Sequence, residues 1–164
     1  MTLKSLRNSV GRYQKQIKGS PENPKTIGEH LKKRRVELGL KQTEVASLLG
    51  VHRGSVQLWE QGRGDQGVKS FPSIIRFLGY VPFVCDNAAK LSFLRRCAGM
   101  TQEELALLAG CNPTSIFRWE NGLNANSSKL AAVITQAWKY LHEIGIAGIV
   151  KSHLREKEDS KKLL

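Results

Sequence analysis

Apolar residues in this chain fall into short clusters separated by polar and Gly-containing loops. None alternates long enough for a convincing strand, and none approaches the roughly 18 apolar residues of a membrane span. The clusters recur at helical spacing. Gln42–Leu49 and Gln102–Ala109 read as short amphipathic helices closed by Gly50 and Gly110. Before each comes a helix that stops at Gly39 or Gly99. After each comes one that runs to a Trp-Glu pair and stops at Gly62 or Gly122. Thr26-x-x-Glu29 and Thr101-x-x-Glu104 have capping-box spacing, and Asn112-Pro113 offers an N-cap followed by proline at the first helical position. FPSIIRFLGYVPF predicts a short apolar helix ended near Gly79, docking on its own bundle, with Asp86 or Asn87 capping the next helix. From Ser127, apolar residues at 130, 134, 137, 141 and 144 form a stripe along a longer helix. The pattern is all-α. It divides into a basic, flexible arm at 1–25, domains at 26–83 and 84–145, and a charged tail at 146–164.

The two halves are copies. Shifting the chain by sixty residues aligns 31–62 with 91–122 without a gap, and twelve of the thirty-two positions are identical. Composition alone gives roughly two. The identities include Arg35/Arg95, Gln42/Gln102, Ala46/Ala106, Gly50/Gly110, Ser55/Ser115, Trp59/Trp119 and Glu60/Glu120.

Helix, tight Gly turn and second short helix form the helix-turn-helix arrangement. GLKQTEVASLLGVHRGSVQLWEQG and GMTQEELALLAGCNPTSIFRWENG both resemble the Cro/repressor-type, or XRE-type, family over roughly residues 27–142. The resemblance implies two tandem lambda-repressor-like helix-turn-helix domains that dock on duplex DNA, most often as transcriptional regulators. It also implies bacterial or phage origin and a cytoplasmic, nucleoid-associated location.

Charge agrees with a polyanionic partner: 26 Lys+Arg against 14 Asp+Glu, net +12. The excess leans forward, with +5 in residues 1–25, +4 in 26–83, +1 in 84–144 and +2 in 145–164. Cys85, Cys97 and Cys111 show no Cys-x-x-Cys spacing, so neither a disulfide framework nor a zinc site is expected. No cofactor, no membrane contact and no enzyme activity are expected either. The sequence has no phosphate loop, and His30, His52, His142 and His153 are scattered.

Within each copy, Val45, Leu48, Leu49, Val51 and Val56, and Leu105, Leu108 and Ile116, are expected to face the core. The resemblance pairs Arg35 with Glu60 and Arg95 with Glu120 as structural ion pairs. The recognition helix of this fold puts its N-terminal residues on base edges. That makes His52, Arg53 and Gln57 the base-reading candidates of copy one, and Asn112, Thr114, Phe117 and Arg118 those of copy two. Arg53 suits guanine and Gln57 adenine, whereas Phe117 or Thr114 suits a thymine methyl. Phosphate candidates are Lys32, Lys33, Lys41, Gln42, Ser55 and Trp59, and in copy two Gln102, Ser115 and Trp119, the indole N–H of each Trp being free for a phosphate oxygen.

The first helix of copy two is much less basic than Leu31-Lys-Lys-Arg-Arg. Copy two is therefore either a weaker half-site or a protein-binding or dimerising module. Residues 128–145 are either a longer core helix or a homodimer contact. The reading that follows is a sequence-specific DNA-binding regulator, a repressor. Its alternative is a DNA-targeting or architectural accessory of a mobile element, phage or defence system that recruits a protein partner.

Overall fold

A computed structural model describes residues 20–82, 90–123 and 128–162, and every regular element among them is helical. Copy one comprises α1 (Ile27–Glu37), α2 (Gln42–Leu49), α3 (Arg53–Glu60), a 3-10 turn (Val68–Ser70) and α4 (Phe71–Leu78). Copy two comprises α5 (Lys90–Cys97), α6 (Gln102–Leu108), α7 (Pro113–Glu120), α8 (Ser128–Glu143) and α9 (Ala147–Lys162). The candidate caps Asp86 and Asn87, Cys85 and most of the basic arm lie outside the described residues.

The helix starts are chemical. Thr26 accepts from the Glu29 N–H while the Glu29 carboxylate accepts from the Thr26 N–H, and Thr101 and Glu104 repeat this at α6. Lys41 has no acceptor to offer, so α2 keeps half the box: Glu44 accepts from the Lys41 N–H at 2.6 Å. The α2–α3 and α6–α7 turns pass through Gly50 (φ 68°) and Gly110 (φ 63°), where a side chain would be strained.

Leu31, Val45, Ala46, Leu49, Val56, Trp59, Ile74 and Leu78 close the first core. Leu48 and Leu108 do not face inward as the pattern suggested; they are 63% and 41% exposed. At about 100° per residue the buried arc of α2 centres between Val45 and Ala46, and Leu48 falls about 110° away. Leu108 has the same place on α6.

The second core is larger, because it takes helices from outside its own repeat. Ile75 of α4 is buried in it, so α4 packs on α5 as well as on α1 and α2, not on its own bundle alone. The expected tail from 146 is also corrected. Gly145 (φ 76°) turns the chain, and Ile146, Ala147 and Val150 are buried as α9 folds back onto α8. The segment read as a charged tail thus opens with the first turn of a packed helix. Under these additions Phe93, Leu94 and Cys97 of α5 and Ala98 just after it are buried, with the Phe93 ring stacked on His153 of α9 at 5.7 Å. A covered helix face has no use for the Lys33 and Arg34 that α1 carries where α5 has Phe93 and Leu94. On α8, Val133, Ala137 and Leu141 are buried, and Leu130 and Ile134, with Ile144 just after the helix, pack against the same core. The opposite face, with Ala131, Ala132, Thr135, Gln136 and Lys139, is exposed. The stripe thus serves the core of its own chain, and a homodimer through 128–145 loses the apolar face that suggested it.

Candidate nucleic-acid interface

Each recognition helix is fixed from below by two kinds of contact. The first is apolar: Val56 and Trp59 of α3, and Ile116 and Trp119 of α7, are buried one turn apart. The second is an ion pair to the first helix of the same copy. Arg35 donates from Nε and Nη2 to the two Glu60 oxygens at 2.6 and 2.8 Å, and from Nη1 to the Leu40 carbonyl at 3.0 Å. Arg95 does the same to Glu120 at 2.7 and 3.1 Å and to Met100 at 2.9 Å. The bidentate bond to Glu60 holds the Arg35 guanidinium above its ordinary value, against the opposing effect of burial. Gln42 and Gln102 complete the clamps, donating from Nε2 to Glu60 and Glu120 at 2.9 and 2.6 Å. One N–H of each amide expected at phosphate is therefore occupied.

Above this base the exposed side chains have the same pattern in both copies. On α3, His52, Arg53, Gln57 and Leu58 point to solvent, with Ser55 half-buried; on α7, Asn112, Pro113, Thr114, Phe117 and Arg118 do, with Ser115 half-buried. Two of the base-reading candidates also cap their helix. His52 Nδ1 accepts from the Gly54 N–H at 3.1 Å, and Asn112 Oδ1 accepts from the Thr114 N–H at 2.9 Å. A neutral imidazole that accepts at Nδ1 carries its proton on Nε2, which leaves His52 a donor on the open side.

The expected free indole of Trp59 is corrected: its Nε1–H donates to the Asp65 carbonyl at 3.2 Å, tying the loop after α3 to the helix. Trp119 is buried at the same place, and residue 125, the counterpart of Asp65, lies outside the described residues. Lys41 is exposed at the start of α2, and Lys32 is half-buried on α1. Lys33 is half-buried too and donates to the Glu22 carbonyl at 3.1 Å, drawing the chain before α1 against that helix.

Sequence reasoning missed Gly28. A Cβ there would sit 1.7 Å from the Trp59 carbonyl oxygen and 2.5 Å from its carbon, so α1 crosses the end of α3 with backbone against backbone. The signal was present: a glycine inside a helix costs about 1 kcal/mol against alanine and calls for a packing reason.

The helix-turn-helix family model matches this chain twice, at residues 31–84 and 94–134, together more than half its length. The chain belongs to the helix-turn-helix family. Both matches are of the XRE type, in tandem. No curated protein and no solved structure matches the chain. Helix-turn-helix domains of this type are DNA-binding, and α2–α3 and α6–α7 are the helix pairs of the two matched motifs. No described helix is long and apolar enough to cross a membrane.

Proposed function

We propose that this chain is a sequence-specific duplex-DNA-binding transcriptional regulator, a repressor acting on nucleoid DNA in the cytoplasm, with α3 as its principal reader. One observation carries the reading. α3 is clamped underneath by Arg35–Glu60 and Trp59, and its open face presents a donor-rich set, His52, Arg53 and Gln57. Arg53 binds guanine O6 and N7, Gln57 pairs with adenine, and the His52 Nε2–H reaches a base or phosphate at the helix start. In this reading Lys32, Lys33, Lys41, Ser55 and the remaining N–H of Gln42 hold phosphates. In copy two, Asn112, Thr114, Phe117 and Arg118 read and Gln102 and Ser115 hold phosphate. Phe117 and Thr114 favour a thymine methyl. Selection of sites from a random duplex pool tests this reading, with Arg53→Ala beside the intact chain. The Arg53→Ala protein should lose preference at one position and keep the others; an unchanged motif would remove α3 as the reader.

A second reading rests on one contrast between the copies. Where copy one has Ser47, Gln57 and Arg63, copy two exposes Leu107, Phe117 and Leu123. Exposed apolar side chains suit a protein partner better than phosphates. Under that reading the chain delivers the partner to DNA. Leu107→Ser would then abolish the biological output while duplex affinity stays unchanged.

A further inference from the structure

The way the two copies touch constrains the DNA they can share. Copy one contributes the 3-10 turn and α4; copy two contributes α5, the start of α6 and the end of α8. Lys69 forms an ion pair with Glu104, and Arg76 donates to the Ile144 carbonyl at 2.5 Å. The Arg96 guanidinium lies 5.0 Å over the centre of the Phe71 ring. Gly99 backs onto Pro72 so closely that a Cβ would sit 2.8 Å from the proline ring. With Ile75 buried in the second core, these contacts fix one copy against the other.

None of these contacts recurs with the copies exchanged. Gly39 is the counterpart of Gly99, and a Cβ there would meet nothing within 4 Å. Glu44 is the counterpart of Glu104; both carboxylates cap their own helix, but among the described residues only Glu104 also pairs with a cation of the other copy. Val36 stands where Arg96 stands, so the cation over the ring has no equivalent. On copy two, the outer flank of α8 at Ala131, Ala132 and Thr135 is exposed rather than docked. The contact is head-to-tail, with different patches on the two sides.

Symmetry then decides between classes of site. Two modules docked alike on inverted half-sites of a straight duplex are related by a two-fold axis. A two-fold axis requires any direct contact between them to be isologous, each residue pair occurring twice. Half-sites repeated in the same direction are related by a rotation and a translation along the duplex, which permits a head-to-tail contact. The contact also leaves the exposed faces of α3 and α7 free.

We infer that one chain reads two half-sites arranged as a direct repeat at a single fixed spacing, and not as an inverted repeat. This rests on the reading above that both recognition helices bind duplex DNA.

Because the two reading faces differ, orientation is best read after making them alike. Asn112→His, Pro113→Arg, Thr114→Gly, Phe117→Gln and Arg118→Leu, combined in the full chain, put the face of copy one on copy two. Binding of this chain is then measured on duplexes carrying the half-site of copy one singly, in direct order and in inverted order over a series of spacings. Stoichiometry is read by native mass spectrometry. A direct pair should bind one chain about 100-fold tighter than a single half-site at one spacing. The inverted pair should gain only the statistical doubling. A comparable gain on the inverted pair overturns the inference, and so does no gain on either. The reciprocal graft, His52→Asn, Arg53→Pro, Gly54→Thr, Gln57→Phe and Leu58→Arg, gives the same readout on the other half-site if the first does not unfold cooperatively. Failure of the intact chain to bind any duplex would instead overturn the DNA reading itself.

Discussion

Replacing Glu60 by Ala removes the acceptor that three donors share. The Glu60 side chain is 4% exposed, and the Arg35 side chain that grips it is 17% exposed. Loss of the carboxylate leaves a nearly buried guanidinium with only the Leu40 carbonyl, and leaves the Gln42 amide without its 2.9 Å acceptor. Breaking a fully buried pair from one side costs about 3–5 kcal/mol. Partial hydration of Arg35 returns some of that, so about 2–4 kcal/mol is expected for Glu60→Ala. For a chain of this size that is a fall of roughly 5–15 °C in melting temperature. Thermal unfolding followed by circular dichroism measures it. Glu120→Ala is an internal control, since Arg95, Met100 and Gln102 repeat the geometry, and its fall should be of similar size. Arg35→Met together with Glu60→Leu should recover most of the stability, because no buried charge is then stranded. In all these variants the preferred DNA sequence should stay the same. A melting temperature within about 2 °C of the parent for Glu60→Ala would refute the clamp as a source of stability.

Other outcomes follow from the same geometry. Gly28→Ala forces a methyl into the Trp59 carbonyl and should cost at least about 2–3 kcal/mol, read as a lower denaturant midpoint with weaker DNA binding. An unchanged midpoint would mean that α1 and α3 do not cross there. Arg53→Ala should cost about 1–3 kcal/mol at one base position in a binding titration, and Arg118→Ala less; the reverse ranking would make copy two the main reader. Acid should weaken both capping boxes. Backbone N–H groups of Lys25 and Thr26 hold the Glu29 carboxyl below its ordinary value, and the ammonium of Lys69 with the Thr101 N–H does so for Glu104. A depressed folded value means full stabilisation above the unfolded value of about 4.3, lost as pH falls below it toward the folded values. Melting temperature against pH should therefore drop below about pH 4.3, and less steeply in Glu29→Gln with Glu104→Gln. Equal slopes in parent and variant would discount the boxes.

Much of the module was legible because its signals are local. A capping box such as Thr26–Glu29, a turn glycine such as Gly50 and a proline after Asn112 act through neighbouring backbone, so the sequence alone exposes them. The repeat offset of sixty added the register and set Arg35 beside Glu60 through the family resemblance. What stayed hidden depends on contacts between distant segments. Nothing near Phe93 or Leu94 indicates that α4 and α9 will cover them, so a buried helix read only as a less basic one. Ile146, Ala147 and Val150 were hidden in what read as a charged tail, since their partners lie in the second core. Trp59 looked free to meet a phosphate because the Asp65 carbonyl that takes its N–H belongs to a loop without a fixed motif. Leu48 misled for a different reason: an eight-residue helix buries a narrow arc, and a spacing of three from Val45 falls outside it.

The most direct test of the account is the affinity of the intact chain for a selected duplex against a scrambled one of equal length, titrated by fluorescence anisotropy at several salt concentrations. The selected duplex should bind at least about 10³-fold tighter near physiological salt. Both affinities should fall steeply as salt rises, because Lys32, Lys33, Lys41 and Arg53 displace counterions. Equal affinity for the two duplexes, or an affinity indifferent to salt, would contradict the claim that α3 and its basic border read DNA.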